Sequence, residues 1–212
     1  MKLKLKNYKE QIQDWPQEGH HLMAQYDAEK IIVYQSYRKA IGKFAVKNQY
    51  FGGPFSLERM TWIKPNFLWM MYRNGWGTKE GQEYVLAIHL KMDAFRKYLE
   101  NAVYSSYNDR LGISREEWQD EVQASSARLQ WDPDHDPFGA KQERRAIQIG
   151  LRNDLIKSFA REDLILIEDI SEFVKGQHQF VLNDTLDQLM LPEEKPLLFD
   201  DEVLNRKMGI KT

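Results

Sequence analysis

Nineteen residues, RMTWIKPNFLWMMYRNGWG at positions 59 to 77, constrain the fold of this chain more than any other stretch. Phe67 to Arg73 is apolar nearly all round, the pattern of a helix covered on every side. Lys64-Pro65-Asn66 is a turn that starts this helix, with Pro65 at the first helical position, and Asn74-Gly75 stops it. Upstream, Arg59 to Ile63 alternates as a short strand with Arg59, Thr61 and Ile63 on one side. The same nineteen residues hold three tryptophans, two arginines and a lysine. A core segment wants the indoles without the charges, and a solvated face wants the reverse. A pocket for a flat anion wants both.

The rest of the chain supplies the layers. Glu29 to Tyr37 and Glu83 to Leu90 are β-branched and aromatic strands; Ser36 to Asn48 has helical spacing. Asp93 caps a helix running to about Val103. Ser114 and Glu117 form a capping box ahead of a short exposed helix. Arg128 to Trp131 reads as a brief strand entering a loop, DPDHDPFG. Ala146 to Arg152 alternates as a strand, with a helix from Glu143 as its competitor. Asn153 to Arg161 is helical, Leu164 to Ile170 a strand and Ser171 to Phe180 a helix. Strands and helices mix without a strict βαβ rhythm, so the expected class is α+β: one domain with a mixed or largely antiparallel sheet flanked by helices. Residues 20–185 form that domain, with 104–126 as an insertion. Residues 1–19 are a polar, loosely held arm, and 186–212 an acidic, partly disordered tail.

Composition narrows the classes. The longest apolar run, Phe67 to Met71, is far short of the roughly 20 residues that cross a bilayer, so no membrane partner is expected. The lysine-rich start has no apolar stretch behind it and is not a secretory signal. Without cysteine there is no disulfide, thiolate nucleophile or cysteine-bound zinc, and a cytoplasmic location is the default. A net charge of −2 conceals a separation. Between Lys30 and Lys79 nine basic residues face one acid, Glu58, whereas from Glu162 to Glu202 twelve acids face Lys175 and Lys195. Either the halves pack together and neutralise each other, or the basic one forms an anion site.

Several constellations could carry chemistry. Arg59, Thr61, Trp62, Lys64, Arg73 and Trp76 combine guanidinium forks and a point charge for phosphate with indole faces for a base, beside a helix N-terminus that favours anions. The same residues could instead fill the core and pair at its rim. Gln130, Trp131, Arg144, Gln148 and Arg152 form a second set, in which an amide reads a ring edge, an indole stacks and arginines hold a further phosphate. Asp132, Asp134, His135 and Asp136 are cation-ligand types, but their spacing fits no known site, and no metal is assigned. Glu168, at a strand end, can serve as general base or hold a ribose hydroxyl, and Tyr34 and Gln35 could face the same cleft. The P-loop, GxGxxG, HExxH and GxSxG motifs are absent.

The stretches VYQSYRKAIGKFA, RMTWIKPNFLWMMYRNGWG, VLAIHL, LQWDPDHDP, RAIQIGLR and IEDI, in that order, closely resemble a widespread microbial family known only as a domain of unknown function. The match runs from about Tyr26 to about Phe180. The resemblance implies one compact domain and brings no established activity.

The expected function is an enzyme acting on a nucleotide or nucleic-acid substrate through a basic, tryptophan-lined pocket, with Glu168 or Asp132 as acid–base group. One version is an ADP-ribosyltransferase-like fold using NAD, with Tyr34-Gln35 on an early strand and Glu168 on a late one; its first strand lacks the usual arginine or histidine. The alternatives are a non-catalytic RNA, single-stranded DNA or modified-base reader, and a structural homodimer with mated charge halves.

Overall fold

A computed structural model describes residues 3–108 and 111–210 of the chain. The first third contains β1 (Leu5–Asn7), α1 (Tyr8–Asp14), β2 (Gly19–His20), β3 (Met23–Ala24), β4 (Lys30–Tyr37), α2 (Lys39–Asn48), β5 (Thr61–Ile63) and α3 (Phe67–Asn74). The middle adds β6 (Tyr84–Lys91), α4 (Met92–Glu100), β7 (Ala102–Tyr104), α5 (Arg115–Ala124), β8 (Ala127–His135) and β9 (Lys141–Leu151). The remainder is α6 (Asn153–Arg161), β10 (Leu164–Asp169), α7 (Ser171–Leu182), β11 (Met190–Pro192), β12 (Lys195–Pro196) and α8 (Glu202–Lys207). None of the helices among these residues is long and apolar enough to cross a membrane.

The architecture is α+β, as the mixed pattern implies. One antiparallel sheet runs β10-β6-β4. A second, mixed sheet runs β2-β9-β8-β7, with β2 and β7 parallel to their neighbours and β5 also paired to β9. A bridge between Tyr34 and Lys64 joins β4 to β5 and so links the sheets. β4 and β6 are buried on both faces, which is why IIVY and VLAI are unbroken apolar runs. Ile31, Val33, Leu86 and Ile88 face one core with Phe95, Tyr98 and Phe159; Ile32, Tyr34, Val85 and Ala87 face another with α3 and α7.

The apolar helix is confirmed as α3, with one shift at its start. Pro65 lies outside it, and Asn66 is the cap, accepting from the Trp69 N–H at 2.7 Å. Gly75, at φ 59°, ends it in the left-handed conformation that glycine adopts without strain. The anion site expected at this helix start is already filled. Glu194 Oε1 accepts from the Phe67 N–H at 2.6 Å, and its Oε2 from Asn66 Nδ2 at 3.2 Å.

That contact belongs to a wider correction. The arm and tail are packed against each other and against the domain. β1 pairs with β11, Trp15 is buried with its Nε1 donating to the Glu194 carbonyl, and Leu204 and Met208 enter the core. Their apolar residues are spaced too sparsely to show a period, and their burial comes from distant partners. Two further expectations change. Residues 132–135 continue β8 instead of looping, with a register shift beside Pro133 that accommodates the missing N–H. α4 starts after Lys91 without a side-chain cap, so Asp93 lies inside its first turn, and the segment from Ala102 is strand.

Candidate functional site

The site forms where two strands separate. The Tyr34 N–H donates to the Lys64 carbonyl at 2.7 Å, and beyond that point β4 and β5 diverge. Gln35 spans the gap, its Nε2 donating to the Trp62 carbonyl at 2.9 Å and to Thr61 Oγ1 at 2.7 Å. The divergence opens a cavity of about 950 Å³, walled by the end of β4, the start of α2, residues 54–62, α3 and the face of β8 and β9. On that face Gln130 and Gln148 stand directly opposite each other in register. Gly150 clears the floor: a Cβ there would lie 2.6 Å from Met60 Sδ and 3.0 Å from the Trp62 ring, so glycine lets that indole lie close to the sheet.

Arg38, Arg59, Lys64 and Arg73 all line this cavity, and no acidic side chain among the described residues does. None of the four makes an ion pair among the described residues. The neutralisation of the basic segment by the acidic one is not what the fold does: no ion pair among the described residues joins positions 30–79 to 162–202. Arg38, Arg59 and Arg73 are exposed at the rim. Lys64 is only 6% exposed, and its ammonium lies 5.4 Å from the Trp69 ring centre. Burial, reinforced by repulsion from Arg73 and opposed by Asp132, lowers its pKa to about 8. Gln35 Oε1 and Ser36 Oγ, also on the cavity wall, have no protein partner. α2 begins there without a side-chain cap.

Asp132 is held between the two glutamines. Its Oδ1 accepts from Gln130 Nε2 at 2.8 Å and its Oδ2 from Gln148 Nε2 at 2.7 Å. Ser105 Oγ in turn donates to Gln130 Oε1 at 3.3 Å. The carboxylate is half-buried and near enough to Lys64 to act on its charge, yet the two do not pair.

The structure thus brings together Gln35, Arg59, Thr61, Trp62, Lys64, Arg73, Gln130 and Gln148, with Asp132 between its two holders. The other expected site residues lie elsewhere. Tyr34 is fully buried, its ring edge-on to Phe67 at 5.3 Å. Trp76 is buried and stacks on His178, donating to the Pro137 carbonyl. Trp131 stacks on His20 at 4.6 Å and donates to the Met208 carbonyl. Arg144 forms a buried ion pair with Asp134 at 2.6 Å and lies over Trp15. Arg152 is spent on the carbonyls of Val122, Gln123 and Ser125, where it closes the end of α5. Glu168 lies 2.6 Å from His89 Nε2, on the far strand of the three-stranded sheet and outside the cavity wall.

The carboxylates after Asp132 are occupied individually. Asp134 holds Arg144, and Asp136 Oδ1 accepts from the Phe138 and Ala140 N–H groups in a turn. His135 stacks on Tyr72 at 3.5 Å. Among residues not anticipated, Arg38 carried a readable signal, since it directly follows the strand that bears Gln35. Phe55, Met60 and Gln82 reach the wall only through loops whose path no local pattern specifies.

No curated protein matches this chain. A family model does, over residues 21–197, which extends the kinship through β12 and includes the Glu194 cap on α3. The chain belongs to the family described as a domain of unknown function, DUF4291.

Proposed function

We propose that this cavity binds a nucleotide, free or within a nucleic acid, and that the protein is a cytoplasmic enzyme acting on it. The observation that carries the reading is Lys64: a buried ammonium with no carboxylate of the described residues within 4.0 Å, opening onto a cavity ringed by three exposed arginines. An unpaired buried charge costs several kcal/mol, so such a residue is kept where an incoming anion offsets that cost. Guanidinium forks match phosphate oxygens bidentately, which suits Arg38, Arg59 and Arg73 to the same ligand. Trp62 offers an apolar face for a ring, and the amides of Gln130 and Gln148 offer hydrogen-bonding edges.

Of the two candidate acid–base groups, Asp132 is favoured by its hydrogen bonds to Gln130 and Gln148, which line the cavity, whereas Glu168, on an outer strand, contacts His89. The NAD-using, ADP-ribosyltransferase-like version keeps only Gln35 on the cavity, so NAD belongs among the ligands to test rather than as the assigned cofactor.

The test is a thermal-shift screen of NAD, mononucleotides, coenzyme A and short RNA. A ligand at ~100 Kd stabilises by about 2.7 kcal/mol. Arg59→Ala and Arg73→Ala should each abolish the shift while leaving the ligand-free midpoint within a few degrees, because both side chains are exposed. A collapsed midpoint, or an unchanged ligand shift, counts against the reading. The exposed rim arginines also favour a second form, a reader of single-stranded nucleic acid. That form predicts an affinity falling steeply with salt, whereas a mononucleotide site does not show a slope of many phosphates.

A further inference from the structure

We propose that Lys64 is a covalent nucleophile, whose amine condenses with an aldehyde on a phosphate-bearing ligand held by the rim arginines. The inference rests on the nucleotide reading and deepens it by naming the substrate class. That class is a nucleotide whose sugar has lost its base and opens to an aldehyde.

The geometry puts a free amine on the cavity wall. Lys64 itself lines the cavity, although only 6% of the residue is exposed. Its Nζ makes no ion pair or hydrogen bond among the described residues. Nor is that nitrogen one of the buried polar atoms sealed from the surface, so it is open to the cavity. A second cation, Arg73, lines the same space. Burial and a neighbouring cation are the two means by which a protein turns lysine into a nucleophile, since both disfavour the ammonium. The pKa of about 8 reflects the two together. At pH 7 ~one chain in ten then carries the neutral amine, against fewer than ~one in a thousand for an ordinary lysine.

The rest of the wall offers no rival. Ser36, Ser56 and Thr61 bring hydroxyls, but no histidine or carboxylate of the described residues lines the cavity to take their protons. The chain has no cysteine. Lys64 needs no such base.

Depth sorts the parts of the ligand. Arg38, Arg59 and Arg73 are exposed at the mouth, and Lys64 is buried within. The guanidiniums stay charged at every pH at which the amine is neutral, so they hold the phosphate while the carbonyl carbon reaches inward. The Nζ lone pair attacks that carbon to give a carbinolamine. The carbonyl oxygen then leaves as water, taking both protons of the amine, and a C=N bond joins the sugar to Lys64. The step needs no oxidant, reductant or further reactant.

The experiment incubates the wild-type chain with 2-deoxyribose 5-phosphate or with 2-deoxyribose, quenches with borohydride, and locates the reduced adducts by peptide mass spectrometry. Lys64 should be modified at least roughly tenfold faster than exposed lysines such as Lys39 and Lys43. The phosphorylated sugar should react roughly tenfold faster there than the free sugar. The Lys64 rate should level off above about pH 8, and Arg73→Ala should move that midpoint upward, because a repelling cation is gone. Lys64→Arg should remove this adduct and leave those on exposed lysines. Adducts spread evenly over the exposed lysines, or none at Lys64, overturn the proposal; so does equal reaction with the phosphate-free sugar. If Lys64 takes no adduct while nucleotides still give a thermal shift that Arg59→Ala abolishes, this inference alone has failed. With no nucleotide shift either, the nucleotide reading falls with it.

Discussion

Replacing Lys64 by methionine should make the ligand-free protein more stable and unable to bind its anion. The lysine pKa falls from 10.5 to about 8 on folding. At 1.36 kcal/mol per pH unit, keeping the amine charged at neutral pH costs on the order of 3 kcal/mol. Methionine fills a similar volume without that cost, but it forfeits the cation–π contact with Trp69, worth up to ~2 kcal/mol when desolvated. The net gain at pH 7 is therefore about 1–3 kcal/mol, or roughly 2–4 °C in Tm per kcal/mol for a chain of this size.

The pH dependence identifies the cause. Between about pH 8 and 10.5 the unfolded chain holds the Lys64 proton and the folded one does not, so wild-type stability rises with pH through that window. The penalty is fully present below pH 8. Urea unfolding of both proteins at pH 7, 8.5 and 10 should show the variant ahead at neutral pH and the gap closing as the pH rises. Anion affinity of the wild type should fall over the same interval as the ammonium is lost. A variant less stable than the wild type at pH 7, or a gap that does not narrow, would falsify the view that Lys64 is held unpaired for a ligand.

Two further changes probe the frame around the site. Asp134→Ala strands Arg144 as a buried, unpaired cation and should cost about 3–5 kcal/mol by chemical denaturation. Gly42→Ala should destabilise by at least ~1–3 kcal/mol. A Cβ there would fall 2.1 Å from the Tyr84 ring, on the strand paired with β4, and an unaffected midpoint would mean that α2 shifts freely.

What the amino-acid order determined alone is local. Unbroken apolar runs made β4, β6 and α3 legible, because Ile31 to Tyr34, Val85 to Ile88 and Phe67 to Met71 are each buried throughout and carry no charged residue to interrupt them, although Tyr72 and Arg73 at the end of α3 are exposed. The Ser114–Glu117 capping box and the Gly75 stop were equally readable, since caps use short-range hydrogen bonds. The basic cluster of Arg59, Lys64 and Arg73 also survived into space: the short strand, turn and helix that carry it leave these residues near one another.

Partnership across distance was not legible. Arg144 and Arg152 resembled phosphate ligands in sequence, but one is claimed by Asp134 and the other by carbonyls of α5. Glu168 and Gln35 looked like two walls of one cleft, yet a strand of β6 stands between theirs. The termini read as loose, although β1 pairs with β11 and Glu194 caps α3 from over a hundred residues away. Spacing along the chain records which side chains can share a helix face or strand edge. Only the closed sheets decide which charges meet a partner, and the burial of Lys64 without an ion pair among the described residues emerges from that tertiary competition.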